Sequence, residues 1–174
     1  MEISLHKEEI FSGRILKLER HLVRLTDDSE AYREVVRHPG AVAVVAFKGE
    51  ELLLVRQYRF PVQKFMLEIP AGIMEEEEVP LRSAQRELAE ETGYRAAKWQ
   101  EVMSFYTAPG FTDEKIHLFL AQELTQGNTN FDPDEFIEIL KMPVKEAYDL
   151  VRRGSIIDAK SIIGIQVAYM GGDL

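Results

Sequence analysis

The segment from Gly72 to Tyr94 places the strongest constraint on what this chain can fold into. It reads GIMEEEEVPLRSAQRELAEETGY, and its glycines, glutamates and arginine follow a fixed spacing. Gly72 is followed by five residues, Glu78, seven residues and then Arg-Glu-Leu-x-Glu-Glu-x-Gly. Average residue usage gives such a match by chance on the order of once in a billion starting positions. No other part of the chain carries a signal of this specificity.

The second half of this segment predicts a helix from about Pro80 to Thr92. Proline suits the first helical turn, and Gly93 suits a C-terminal cap. Residues predicted to pack on a sheet share one face of this helix: Leu81, Ala84 and Leu88. Three carboxylates fall on a neighbouring face, within a few ångströms of one another: Glu87, Glu90 and Glu91. Divalent cations would turn the repulsion between these like charges into attraction.

The spacing is that of the Nudix box, and the chain resembles the Nudix hydrolases, magnesium-dependent enzymes that cut nucleoside diphosphates linked to another group. One position departs from the pattern, because Tyr94 stands where the box usually ends in an aliphatic residue. We expect this to be a packing variation. The resemblance implies an α/β (α+β) fold, the Nudix α/β/α sandwich with a mixed sheet. It also implies two or three Mg²⁺ ions per site, with Mn²⁺ as a substitute.

The resemblance implies a set of metal ligands in and beside the box: the backbone carbonyl of Ala71 and the carboxylates of Glu87, Glu90 and Glu91. We predict that Arg86 and Glu78 orient these carboxylates through an ion pair, and that Arg86 and Glu90 take part in catalysis.

In this family the general base lies outside the box, on a loop before a late strand. We assign that role, or that of a third metal ligand, to Glu135. Relatives often carry a glutamate two positions earlier, where this chain has Pro133. Asp132 and Asp134 therefore stay open as rivals.

Segments flanking the box resemble ADP-ribose pyrophosphatases: residues 55–59, 67–72, 108–114 and 157–161. In that branch a proline lies sixteen positions beyond the last box glycine, and here this is Pro109. We therefore predict hydrolysis of the diphosphate of ADP-ribose to AMP and ribose 5-phosphate. One alternative is a Nudix hydrolase of another nucleoside diphosphate sugar, of the GDP-mannose type. The other is a non-catalytic nucleotide-sensing module, although such modules usually lose box carboxylates, which this chain keeps.

Substrate contacts follow from the same resemblance. Arg59 would hold a phosphate bidentately, unless it forms a surface ion pair, and Glu68 would accept hydrogen bonds from a ribose or an adenine amino group. The remaining predicted contacts are Ile73, Pro109, Gly110 and Glu114, together with Phe11 and Arg33 supplied by a partner subunit.

The amino-terminal segment, residues 1–40, is predicted to be a small antiparallel β segment ahead of a Nudix domain over residues 41–174. Strand-like patterns at residues 14–19 and 32–36 flank a turn at residues 26–29. The resemblance implies a homodimer that exchanges this segment, and the alternative is a simple extension of the main sheet. Further strands are predicted at residues 41–47, 52–58, 101–106, 116–121 and 137–142, and helices at 144–153 and 159–170.

Composition bounds the remaining possibilities. A formal net charge of −9 argues against general binding to nucleic acid or to anionic membranes. The chain has no cysteine, so it has neither disulfides nor thiolate metal sites. Its four histidines are dispersed without metal-ligand spacing. With no leader pattern and only short apolar runs, we expect a cytoplasmic protein.

Overall fold

The computed structural model describes residues 1–127 and 137–171. Its strands are β1 (Ile3–Ser12), β2 (Lys17–Arg24), β3 (Glu30–Arg37), β4 (Ala41–Lys48), β5 (Glu51–Arg59), β6 (Lys64–Glu68), β7 (Ala71–Ile73), β8 (Tyr94–Tyr106), β9 (Lys115–Gln126) and β10 (Glu138–Pro143). Its helices are α1 (Pro80–Thr92), α2 (Val144–Arg152) and α3 (Ala159–Met170), with a single 3₁₀ turn at Phe60–Val62.

The chain divides into two compact units, and the first comprises Met1–Gly40 and Phe105–Ile116. Its sheet has the strand order β1-β2-β3 with antiparallel pairing, in which Leu18 lies opposite Val36. The predicted amino-terminal β segment is thus present, and β1 adds a strand that the patterns at residues 14–19 and 32–36 did not include. Every residue of β1 is exposed, including the apolar side chains of Ile3 and Ile10.

The second unit comprises Ala41–Ser104 and His117–Leu174 and contains the longer sheet. Its strand order is β10-β5-β4-β9-β8, with β6 paired to β5 and β7 paired to β4. The central strand β4 is apolar from residue 41 to residue 47 and buried from residue 41 to residue 46, as expected for a strand covered on both faces.

Helices cover both faces of this sheet. On one face Ala84 and Leu88 of α1 join the buried cluster that contains Val44. Side chains alternate along a strand, so the neighbouring Val45 points to the other face, where it lies against Gly164 of α3. The α/β/α sandwich predicted from the sequence is therefore confirmed.

Two side chains of the box test the packing predictions. Leu81 was predicted to pack on the sheet with Ala84 and Leu88, but it is 39% exposed. It belongs to the first turn of α1, whereas the two buried residues lie deeper in the helix. Tyr94 is only 3% exposed and belongs to the same core cluster as Leu88, which agrees with a packing role. Within the described ranges, no helix is long and apolar enough to cross a membrane.

Candidate active site

Helix α1 presents the acidic residues of the box, and its own sequence defines its ends. Val79 is the N-cap in an extended conformation, and Pro80 follows at the first helical position, where a missing N–H is tolerated. Gly93 has a φ of 70°, and its N–H donates to the carbonyl of Ala89. This left-handed cap favours glycine. The helix therefore spans the residues that the sequence predicted.

Glu91 is anchored to the backbone just before the box. Its side chain is buried, and Oε2 accepts a hydrogen bond from the N–H of Ala71 at 2.9 Å. Ala71 is itself fixed as the first residue of β7, where it pairs with Ala43 of β4. The backbone of Ala71 and the carboxylate of Glu91, two of the predicted ligands, are thus held together.

Glu87 fills the space beside Gly72. A Cβ atom added to this glycine would overlap the Glu87 carboxylate. The close approach of a carboxylate to the backbone of β7 therefore requires glycine at this position. Glu87 and Glu91 lie one helical turn apart and contact two consecutive residues of β7.

Arg86 links three carboxylates and one carbonyl. Its Nη1 donates to Glu87 Oε1 at 2.6 Å and to Glu90 Oε2 at 3.1 Å. Its Nε and Nη2 both donate to Glu78, and Nη2 also donates to the carbonyl of Ile73. The hydrogen bond to Glu78, together with the charge of Glu87, raises the pKa of Arg86, and the same hydrogen bond lowers the pKa of Glu78. The predicted ion pair between Arg86 and Glu78 is present.

The oxygen atoms in and beside the box can be compared with the ligands that a divalent cation requires. In the part of the chain that the structure describes, no group of three or more His, Cys, Asp or Glu side chains is arranged to hold a metal ion. In this conformation the guanidinium of Arg86 already pairs with Glu87 and Glu90. The donors are nevertheless carboxylate and carbonyl oxygens, which Mg²⁺ and Mn²⁺ prefer, and the missing side chain of Gly72 lets the Glu87 carboxylate lie against β7. The residues therefore fit a divalent cation in chemistry.

A second charged cluster surrounds the predicted substrate residues Arg59 and Glu68. Glu68 is 1% exposed, and its two oxygens accept hydrogen bonds from Nε and Nη2 of Arg59, each at 2.8 Å. Lys160 Nζ also donates to Glu68, at 2.5 Å. Burial alone would raise the pKa of Glu68, but the hydrogen bonds from Arg59 and the charge of Lys160 outweigh it and lower the pKa to about 2. Arg59 thus forms an ion pair with a buried carboxylate.

The resemblance of residues 157–161 to ADP-ribose pyrophosphatases predicts no role for any of these residues. The structure places Lys160 between Glu68 and Asp158, and it makes Asp158 the N-cap of α3. Ser161 is completely buried. An aspartate three positions before a serine, at the start of an apolar stretch, is a helix-start signal that could have identified the cap. The contact of Lys160 with Glu68 cannot be predicted from a local pattern, because the two residues are far apart in the sequence.

The first unit contains three of the residues predicted to contact substrate: Pro109, Gly110 and Glu114. The loop that carries them is attached to β3, because Val36 N–H donates to the carbonyl of Phe111 at 2.8 Å. Glu114 accepts a hydrogen bond from the Thr107 hydroxyl at 2.6 Å.

An ion pair reinforces this attachment of the loop to the sheet. Arg37 of β3 donates to Asp113 and to the buried Glu19, each at 2.9 Å. Hydrogen bonds from His21 and Arg37 lower the pKa of Glu19 to about 2.

Two further predicted contacts also belong to the first unit. Phe11 is 56% exposed at the end of β1, and Arg33 on β3 forms an ion pair with Glu2 at 2.6 Å. The segment predicted to supply the base, with Asp132, Asp134 and Glu135, lies outside the described residues.

Comparison with known proteins gives the following matches. The model of the NUDIX domain family matches residues 36–162. The "ADP-ribose pyrophosphatase" of Bacillus subtilis (strain 168) is 43% identical over 168 residues, covering 95% of this chain and 91% of the relative. The "Methanol dehydrogenase activator" of Bacillus methanolicus is 42% identical with the same coverage. The "GDP-mannose pyrophosphatase" of Cronobacter sakazakii (strain ATCC BAA-894) is 33% identical, covering 99% of this chain and 97% of the relative.

A solved structure described as "Crystal structure of ADP compounds hydrolase" matches with a TM-score of 0.87. The alignment covers 97% of this chain and 92% of the solved chain, at 20% sequence identity. At that identity the likeness concerns the fold.

Proposed function

Because this chain belongs to the Nudix family, we propose that it hydrolyses the diphosphate of ADP-ribose to AMP and ribose 5-phosphate. The observation that carries this proposal is the arrangement of the box, in which Glu87 and Glu91 contact the backbone of β7. Arg86 donates hydrogen bonds to the carboxylates of Glu78, Glu87 and Glu90. The choice of ADP-ribose is supported by the 43% identity to the Bacillus subtilis relative, which extends over nearly the whole of both chains.

Nudix hydrolases generally need divalent metal ions. For this chain we propose two or three Mg²⁺ ions, replaceable by Mn²⁺, held by the Ala71 carbonyl, Glu87, Glu90 and Glu91. Glu135 is either a further metal ligand or the general base. When bound, the cations would offset negative charge on the phosphoryl oxygens and favour deprotonation of the attacking water.

The protein's own groups have distinct tasks in this proposal. Glu135 accepts the proton of the attacking water, with Asp132 and Asp134 as rivals for that role, and water attacks a phosphorus of the diphosphate as the bond to the leaving phosphate breaks. Arg86 orients the box carboxylates through its hydrogen bonds to Glu78, Glu87 and Glu90.

Substrate recognition is proposed as follows. Arg59 binds a phosphate, and Glu68 binds a ribose or an adenine amino group. Because both are engaged with one another in this structure, substrate would have to compete with that ion pair or bind through Arg59 donors turned away from it. The further proposed contacts are Ile73, Pro109, Gly110 and Glu114, with Phe11 and Arg33 from a partner subunit.

We also propose a homodimer that exchanges the amino-terminal segment. The motivation is the presence of exposed apolar side chains on that segment, which include Ile3, Ile10, Phe11 and Tyr32. We also propose a cytoplasmic location, with which the lack of cysteine is compatible.

A second candidate substrate is GDP-mannose. The 33% identity to the Cronobacter sakazakii relative supports this candidate. ADP-ribose ranks first because the identity to the Bacillus subtilis relative is higher, at 43%. A non-catalytic nucleotide-binding module is disfavoured because the chain keeps every box carboxylate.

A substrate panel tests these alternatives. Purified protein is incubated with Mg²⁺ and, separately, ADP-ribose, GDP-mannose, a dinucleoside polyphosphate, NADH and a nucleoside triphosphate, and products are resolved by chromatography. We expect preferential release of AMP from ADP-ribose. Glu87→Gln and Glu91→Gln should lose this activity, and a matched change of the solvent-exposed Glu138 to glutamine should keep it. Preference for another substrate would reject ADP-ribose but retain the reaction, whereas silence on all substrates would favour the binding module.

A further inference from the structure

The short segment that carries the proposed backbone ligand is held from two directions. Three consecutive residues make specific contacts with their surroundings: Pro70, Ala71 and Gly72. The carbonyl of Pro70 accepts a hydrogen bond from the N–H of Val44 at 2.8 Å. The N–H of Ala71 donates to Glu91, and Gly72 lies against Glu87. The position of this segment therefore determines where the box carboxylates meet the backbone.

On its amino-terminal side the same segment is fixed by a single buried hydroxyl. The N–H of Ile69 donates to Ser161 Oγ at 2.9 Å, and both residues are at most 1% exposed. Ile69 is two residues before Ala71. A buried N–H without a partner is costly, so the hydroxyl fixes this point of the backbone strongly.

The hydroxyl is itself oriented by the start of α3. Ser161 Oγ donates to Asp158 Oδ2 at 2.5 Å, and the backbone N–H of Ser161 donates to the same oxygen at 3.0 Å. The single proton of the hydroxyl is therefore committed to Asp158, which leaves a lone pair for the N–H of Ile69. Lys160 holds Asp158 in turn, at 3.0 Å.

Close packing of α3 supports the same coupling. A Cβ atom added to Gly164 would lie 2.8 Å from Ile69 Cδ1 and 2.9 Å from Val45 Cγ2. Helix α3 thus touches the side chain of Ile69 as well as its N–H, and the segment cannot shift without disturbing the helix.

From these contacts we propose that Ser161, oriented by Asp158, is a positioning residue for the metal-binding segment. Its hydroxyl fixes Ile69 and thereby sets the place of the Ala71 backbone and of the Glu91 carboxylate bonded to it. The inference rests on the proposed metal role of Ala71 and Glu91, but the coupling between Ser161 and Ala71 is a property of the fold.

The test compares Ser161→Ala with Ser161→Thr, which keeps the hydroxyl. The matched control is Ile156→Val, which trims a side chain that is 1% exposed and precedes α3. Mn²⁺ binding is measured by isothermal titration calorimetry in the absence of substrate, and exchange of the Ala71 amide proton is measured by NMR. The kcat and KM for hydrolysis of ADP-ribose are also measured for each variant. Urea unfolding midpoints show whether the variants being compared are similarly stable.

For Ser161→Ala we expect about tenfold weaker Mn²⁺ binding and about tenfold lower kcat, the size usual when a group that orients a ligand is removed. KM should change less, and the Ala71 amide should exchange faster relative to other core amides. Ser161→Thr and Ile156→Val should both keep Mn²⁺ affinity, kcat and the exchange rate of the Ala71 amide near those of the wild type. If Ser161→Ala does not fold, Ser161→Cys preserves the shape with a much weaker acceptor and should show the same losses.

The inference is overturned if Ser161→Ala binds Mn²⁺ and exchanges Ala71 like the wild type. It is equally overturned if Ile156→Val shows the same losses, because these would then reflect general stability. Wild-type protein that binds Mn²⁺ but leaves ADP-ribose intact would reject the proposed substrate, and the binding and exchange measurements would still decide the role of Ser161.

Discussion

Replacing the buried Glu68 by glutamine should destabilise the protein, and the loss should depend on pH. Glu68 accepts hydrogen bonds from Arg59 and Lys160 at an exposure of 1%, so the substitution removes the carboxylate from Arg59 and leaves Lys160 paired with Asp158 alone. The pKa of Glu68 falls from 4.5 to about 2, because these partners outweigh the opposing effect of burial. A depression of this size corresponds to roughly 3 kcal/mol of stability at pH 7.

The sign of the pH dependence follows from the direction of that pKa shift. Because the folded-state pKa lies below the unfolded-state value, the stabilisation is fully present above about pH 4.5 and is lost as the pH falls towards 2. The linkage relation leaves about 2 kcal/mol of it at pH 3.5. The difference in unfolding free energy between the wild type and Glu68→Gln should therefore narrow by about 1 kcal/mol between pH 7 and pH 3.5.

Urea unfolding followed by circular dichroism at pH 7, 5 and 3.5 measures this difference. The control is Glu138→Gln, because Glu138 pairs with Arg56 at 3.1 Å while its side chain is 59% exposed. Such a surface pair contributes about 0–1 kcal/mol. A Glu68→Gln protein as stable as the wild type at pH 7 would refute the assignment of a stabilising buried carboxylate. A difference that stays constant down to pH 3.5 would do the same.

Three further predictions concern other parts of the molecule. Gly72→Ala should lower Mn²⁺ affinity and the rate of ADP-ribose hydrolysis by about tenfold or more, because the added Cβ displaces the Glu87 carboxylate. Calorimetry measures the affinity and product analysis measures the rate, and unchanged values would contradict the contact between Gly72 and Glu87. Leu88→Ala should cost about 2–5 kcal/mol in urea unfolding, and Leu81→Ala should cost clearly less because Leu81 is 39% exposed; equal losses would place both side chains in the core. Sedimentation at micromolar concentration should show a dimer, and a monomer would reject exchange of the amino-terminal segment.

Much of the fold could be predicted because its signals are local. The bounds of α1 follow from Pro80 and Gly93, whose conformational preferences act within one helical turn. The buried strands β4 and β5 were visible as apolar runs. Strands β6 and β7 were not predicted, since each is short and owes its structure to pairing with a strand elsewhere in the sequence.

In the candidate site, too, the features that could be predicted are local in the sequence, and those that could not are contacts between distant residues. The family resemblance drawn from the box is confirmed by the match over residues 36–162, and the predicted pairing of Arg86 with Glu78 spans only eight positions. The contacts of Lys160 with Glu68 and of Ser161 with Ile69 each span 92 positions, so no local pattern could disclose them. The resemblance of residues 67–72 to ADP-ribose pyrophosphatases predicts that Glu68 binds substrate, but it gives no sign of the buried ion pairs of Glu68 with Arg59 and Lys160.

The contacts of the box depend on the spacing of its residues. Gly72 leaves room for Glu87, which fills the space of a side chain, and the guanidinium of Arg86 donates to Glu78, Glu87 and the carbonyl of Ile73. Moving any one of these residues along the chain by a single position would rotate it by about 100° around α1 or shift it within the loop. It would then lose its partner while the others stayed in place. The spacing of the box in the sequence therefore matches a set of contacts between β7, the loop that follows it and helix α1.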